Sequence, residues 1–400
     1  MQAHTFFLYL LIILLTARLF AEIAVRLGAP AVIGELLAGV VIGPSVLGWI
    51  EPVEPLRLMA EIGIILLLFE VGLGTDVKRL VNTGLKSIVV AIAGFVAPLV
   101  IGFYIGHFMI GLTVLESLFI GGTLTATSIG ITVRVLRDLN LADSHQGQIV
   151  LGAAVLDDVM GVMLLALLYE FSIGGGVNLV NAAKVFVFVS AFFILAPMLA
   201  RLMSLLINRY HDAMGLPGLI PTTIVSLVLF FAWLAHAVGA PELLGGFAAG
   251  LALSRRFFLP LGITLRKDEA FARAIENQMQ PVISLFTPIF FVVVGLSINL
   301  REIDWGSTHV WGYSFLILVM AVIGKFAGAF IIRENWASKL MIGMSMVPRG
   351  EVGLIFTELG RVSGIFNKEV HASMVLVIVL TTLLPPFVMK WFYKHFSHKL

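Results

Sequence analysis

The sequence predicts an all-α integral membrane protein of about 13 transmembrane helices, built as inverted repeats that each hold one broken helix. Three observations lead there. Hydrophobic residues make up 59% of the 400-residue chain and charged residues 12%, with a mean hydropathy of +1.03. Soluble domains carry about 25% charged residues. Apolar runs recur from end to end, many near the roughly 20 residues that one bilayer crossing takes. Two of the runs are interrupted at their centres by residues that break helices or satisfy freed backbone groups.

In chain order the spans fall at 4–26, 31–50, 57–75, 86–107, 114–136, 146–170, 179–207, 217–238, 241–256, 279–299, 310–332, 338–361 and 369–392. The first is too long for the core of a signal peptide and has no clear cleavage site, so it reads as a retained helix. Connections are short except for the polar stretch Arg255 to Gln280, expected to form a short surface helix linking two halves. No soluble nucleotide-binding domain is expected after the last span. With no cysteine in the chain, disulfides, thiolate metal sites and thiol catalysis are excluded.

An odd number of spans puts the termini on opposite sides, and basic residues decide which. With the N-terminus outside, inner segments hold 19 Lys and Arg and outer ones 5. The C-terminus is therefore expected in the cytoplasm. Spans four to six and eleven to thirteen then form triplets of opposite orientation. The middle member of the first carries Thr125-Ala126-Thr127-Ser128-Ile129-Gly130, and that of the second Ser345 to Gly353 with Pro348 and Gly350. Paired interruptions at corresponding positions of inverted repeats point to a transporter's binding site.

The chemistry concentrates on Asp157 and Asp158, adjacent in the middle of IVLGAAVLDDVMGVMLLALLY. One acid at that depth costs about 2.5–3.5 kcal/mol on insertion scales. Neighbouring carboxylates also resist ionising together. Such a pair needs a cation, a proton or a partner, so the run reads as a place where a cation and protons exchange. The structural alternative is a polar contact that caps a broken helix. Lys325 lies at a matching depth in the eleventh span, so an ion pair with Asp157 is expected there. Snorkelling from about 12 Å inside would strain the lysine.

Arg349 and Glu351 sit in the second interruption, where they would neutralise the facing dipole ends of half-helices. Thr127 and Ser128 offer oxygens to a desolvated cation. Glu70 lies toward the cytoplasmic end of the third span, where interfacial solvation and an accessory role are both open. Glu35 reads as structural or entrance-lining, and His236 as packed. The pairs Gly39/Gly43, Gly246/Gly250 and Gly324/Gly328 have the spacing of close helix packing. No metal-ligand cluster, nucleophile elbow or phosphate loop points to an enzyme, and nothing resembles a channel's carbonyl filter. No cofactor and no nucleic-acid partner is expected.

The segments GELLAGVVIGPSVLG, LLLFEVGLGTDV, TATSIGITVRVL, GAAVLDDVMGV, GGFAAGLALS, PIFFVVVGLSINL and VPRGEVGLI together resemble the monovalent cation/proton antiporters, the sodium/proton exchangers of the NapA and NhaA type. The resemblance runs from about residue 28 to residue 385. It implies a homodimer in a bacterial inner membrane, with scaffold helices over 1–75 and 217–299. Core repeats would cover 86–170 and 310–392, joined by a linker helix over 179–207. Asp158 and Asp157 would bind Na+ and protons, and Lys325 would pair with Asp157. By that likeness the exchange is expected to be electrogenic, for Na+ or Li+, by alternating access. Potassium/proton exchange and electroneutral exchange stay open as alternatives.

Overall fold

A computed structural model describes residues 3–74, 77–172, 195, 219–238, 241–253 and 269–397. Every regular element among them is helical. The first four helices are α1 (Ala3–Arg26), α2 (Ala31–Ile42), α3 (Glu54–Gly74) and α4 (Val77–Tyr104), the last ending in a π-helical turn, Ile105–Ile110. Then follow α5 (Val114–Thr125), α6 (Ile129–Asp138), α7 (His145–Ser172), α8 (Leu219–Ala237), α9 (Glu242–Leu253) and α10 (Glu269–Leu296). The chain ends with α11 (Thr308–Ile331), α12 (Trp336–Ser345), α13 (Glu351–Val362) and α14 (Lys368–Phe396). Among the described residues eight helical stretches are long and apolar enough to cross a membrane.

Local chemistry sets several boundaries. α5 opens on a capping box in which the Thr113 hydroxyl accepts from the Glu116 amide while the Glu116 carboxylate accepts from the Thr113 amide. Ser307, Asn335 and Asn367 cap α11, α12 and α14 in the simpler way, each side-chain oxygen taking an orphan amide. The expected span 31–50 is helical only to Ile42. Gly43 is extended ahead of Pro44, which cannot continue the amide ladder, and the chain turns at Gly48 with φ +66°.

The polar stretch expected as a separate surface helix is corrected in part. Glu269 to Gln280 is continuous with the apolar run that follows, in one 28-residue helix. Its residues are good helix formers, and Pro281 removes only one amide from the ladder. Residues 254–268, which hold the rest of that stretch, lie outside the described residues, as does all but Leu195 of the span expected over 179–207.

The chain divides into two compact units. The first comprises Met1–Pro52, Thr83–Ala182 and Phe291–Leu400. It contains both pairs of half-helices. Within it α1 packs on α2, α5 on α13, and α11 on α12 and α14. Phe119, Phe356, Phe366 and Met374 form the middle of its core. Gly324 and Gly328 let α11 press on α4: a Cβ at Gly328 would stand 2.6 Å from the Val90 carbonyl oxygen. Between α11 and α12, Glu334 accepts hydrogen bonds from Lys86 Nζ of α4 at 2.6 Å and from Nε2 of His145, the first residue of α7, at 2.8 Å. Burial pushes the Glu334 carboxyl up, but the two donors outweigh it and hold the group below the usual carboxylate range.

The second unit comprises Val53–Asn82 and Ala183–Phe290. Its described part packs α9 between α3 and α8. A Cβ at Gly250 would come within 2.0 Å of the Phe69 carbonyl oxygen, so only glycine allows this approach. His236, expected to be packed, has a side chain that is 73% exposed and contacts Glu242 at 2.6 Å. It sits in the last turn of α8 and reaches Glu242, the first residue of α9.

Candidate cation and proton site

The two interruptions are built from hydroxyls and backbone. α5 stops at Thr125, and Ala126 and Ser128 are extended before α6 begins. The Ser128 hydroxyl caps α6 by accepting from the Ile131 amide. α12 stops at Ser345, and the segment 346–350 leads to Glu351, the first residue of α13. The two gaps are pinned against each other. The Ser128 amide donates to the Pro348 carbonyl at 2.8 Å. Thr127 Oγ1 donates to the Met346 carbonyl at 3.3 Å, and Thr132 Oγ1 to that of Ser345 at 2.7 Å. A side chain at Gly350 would collide with the Ser128 hydroxyl, 2.6 Å from the Cβ position.

These contacts answer a general difficulty. Interrupted helices leave orphan carbonyls and amides, and none can be left bare in an apolar interior. Here hydroxyls supply the donors that the helices have lost. Arg349, fully buried, donates through Nη1 to the Ala126 carbonyl, which closes the C-terminal end of α5. Its own carbonyl accepts from Thr382 Oγ1 on α14 at 2.6 Å. A guanidinium at the negative end of a helix dipole is favourable. The side chain of Glu351 lies outside the description; its backbone starts α13, at the positive end.

Asp157 and Asp158 occupy the middle of α7, 1% and 6% exposed. Lys325, on α11, is fully buried, and its Nζ donates to Asp157 Oδ2 at 2.9 Å. Its stem passes Gly94 on α4, where a Cβ would lie 3.9 Å from Lys325 Cδ. Arg349 is a second cation acting on Asp157, and Asp158 a second anion acting on Lys325. Asp157 Oδ1 receives no hydrogen bond from the protein. Two carboxylates and two cations thus share a closed interior in which any added or removed charge is felt strongly.

Among the remaining residues singled out in the sequence, Thr127 and Ser128 lie in the first gap and are buried, and Glu70 belongs to the second unit. Glu70 is 8% exposed. Thr132 and Thr382 were not singled out. Their signal was present but faint: Thr132 lies four residues past the Ser128 cap, and Thr382 belongs to a Thr-Thr pair ahead of Pro385.

The fold is that of a polytopic membrane transporter. A family model described as sodium/hydrogen exchanger, transmembrane, matches residues 10–395, and the chain belongs to that family. The chain is 33% identical over 389 residues to the Na(+)/H(+)-K(+) antiporter GerN of Bacillus cereus, covering 96% of each. It is 35% identical over 393 residues to the probable Na(+)/H(+) antiporter GerT of the same organism, covering 97% of this chain and 99% of that one. In fold it is similar to the sodium proton antiporter MjNhaP1 from Methanocaldococcus jannaschii. The TM-score is 0.76 over 100% of this chain and 98% of that one, at 17% identity.

Proposed function

We propose that this monovalent cation/proton exchanger moves Na+ or Li+ against protons, electrogenically, through Asp158 and Asp157. The observation that carries the reading is the Lys325–Asp157 pair, buried on α7 beside Asp158. A buried ion pair stays charged only while both partners remain. Protons arriving at Asp158 and at the Asp157–Lys325 pair would displace a dehydrated cation from the carboxylate oxygens, and the cation would displace them in turn. Hydroxyl and backbone oxygens near Thr127 and Ser128 suit a hard cation. An empty site, with Asp158 ionised and neither a proton nor a cation on it, would cross the hydrocarbon at high cost, and that penalty couples the two fluxes.

In this reading the 13 spans form inverted repeats around two crossing broken helices. The core of 86–170 and 310–392 moves against a scaffold of 1–75 and 217–299, with 179–207 between them. The protein works as a homodimer in a bacterial inner membrane, N-terminus outside and C-terminus in the cytoplasm. Glu70 would be an accessory group, and Glu351 would compensate the dipole end of α13. Potassium is the competing substrate, because GerN is named for both sodium and potassium.

The test is a proton gradient imposed on proteoliposomes, followed by Na+, Li+ or K+ with the membrane potential free or clamped. Dissipation by Na+ or Li+ that depends on the potential is the expected result. A response to K+ that ignores the potential would replace this reading with electroneutral potassium exchange.

A further inference from the structure

Glu35 is a buried acid that the site above does not use. It lies on α2 within the GELLAGVVIGP segment and is 0% exposed. No protein group donates a hydrogen bond to either of its carboxylate oxygens. Its closest cation is Arg134 on α6, with Nη2 3.7 Å from Glu35 Oε1. Arg134 reaches equally toward Asp138, one turn along its own helix, at 3.6 Å. Its Nε is also buried without a hydrogen-bond partner. An arginine thus stands between two carboxylates with no hydrogen bond to either. The other charges acting on this cluster are Arg18 on α1, which faces Glu35, and Lys390 on α14 and Arg137 on α6, which face Asp138. α10 meets α2 at Gly39 through the uncharged stretch Val292–Leu296.

We propose that Glu35 is a further protonatable, positioning residue of the exchanger, whose charge decides whether Arg134 ties α6 to α2. The proposal rests on the exchange reading above, in which α6 belongs to the moving core and α2 to the scaffold, so that the sliding surface runs between these two helices inside the first compact unit. α6 is the half-helix that starts at Ser128, so whatever holds it holds one wall of the site. While Glu35 is ionised, drawing α6 away from α2 separates a buried ion pair and strands the glutamate. A buried charge without its partner is strongly unfavourable. A proton on Glu35 removes that obstacle. Arg134 then keeps Asp138 as its counter-charge, and Asp138 travels with it on the same helix. The exchanger consequently slows at alkaline pH as Glu35 loses its proton.

The experiment is the rate of cation-dependent proton flux in proteoliposomes, with the same pH inside and out, scanned from acid to alkaline. Wild type is expected to lose rate on the alkaline side. Glu35→Gln, permanently neutral, keeps that rate until proton supply to Asp158 and Asp157 limits exchange, so the midpoint of its alkaline fall lies about one pH unit or more above that of wild type, a tenfold difference in proton concentration. Arg134→Gln abolishes the tie from the other side and flattens the same limb, whereas Glu35→Asp restores the fall. A wild type without an alkaline fall, or a Glu35→Gln midpoint equal to that of wild type, overturns the proposal. Should neither single variant fold, the double variant Glu35→Gln/Arg134→Gln leaves no lone buried charge and is read in the same way. A wild type that exchanges no cation for protons would instead defeat the exchange reading itself.

Discussion

Lys325 Nζ and Asp157 Oδ2 meet at 2.9 Å with both side chains fully buried, on two helices 168 residues apart in sequence. Neither charge has water to fall back on. Losing one member alone costs about 3–5 kcal/mol in such a setting, because the other is left uncompensated. Lys325→Met and Asp157→Asn should therefore each lower the heat-unfolding midpoint sharply in detergent. The double variant should recover most of the loss, since neutral groups of similar size replace the pair. Equal losses that simply add would show that the pair is not coupled.

Asp158 calls for a different readout, because its proposed role is to bind rather than to brace. A ligand held only by the folded state stabilises it by about 2.7 kcal/mol at a hundred times its dissociation constant. Sodium or lithium should raise the unfolding midpoint of wild type, and Asp158→Asn should erase that increment together with the exchange. If the variant still exchanged at wild-type rates, the cation would lie elsewhere.

Much of this arrangement was legible in the sequence because insertion into a membrane is so costly to a charge. Asp157, Asp158, Lys325 and Arg349 stand out in apolar runs, and Pro348 and Gly350 mark one interruption. The interruption at residues 126–128 carries neither proline nor glycine, and only its hydroxyls betrayed it. Which hydroxyl takes which orphan carbonyl was not legible. That depends on how α6 and α14 lie against the gaps, and Thr132 and Thr382 look like any threonine in an apolar run. The length of α2 and the reach of α10 were misjudged for local reasons: a glycine-proline stop in one case, a polar but helix-forming turn in the other. Glu35 and Arg134 lie 99 residues apart, and nothing in their spacing announces that they meet.

The Glu334 cluster gives a pH prediction with a definite sign. Hydrogen bonds from Lys86 and His145 hold this carboxyl low against the upward push of burial. A carboxylate held low adds stability above its unfolded pKa, about 4.3, and the contribution is lost as pH falls through that value and below. Lys86 and His145 are 37% and 47% exposed, so solvent limits the pair to about 0.2–1 kcal/mol. Unfolding midpoints of wild type and Glu334→Gln should differ modestly at neutral pH and converge below about pH 4. A difference that persisted into acid would mean that the glutamate acts through packing rather than charge.

Arg349 links the two interruptions most directly, since its guanidinium serves the Ala126 carbonyl and its own carbonyl is held by Thr382. Arg349→Ala removes a charge-assisted hydrogen bond, worth about 1.5–3 kcal/mol, and leaves the end of α5 bare. Arg349→Lys keeps the charge but replaces a planar fork with a single ammonium on a different stem. If the guanidinium acts as a counter-charge to the helix end, lysine should restore part of the lost unfolding midpoint, and Thr382→Val should weaken the protein further in either background. If it acts by filling space, Arg349→Met should do as well as lysine. Comparing these variants by heat unfolding, with and without sodium, separates the brace from the site. A brace lowers the midpoint equally in both conditions, whereas a group acting on the cation diminishes the sodium increment.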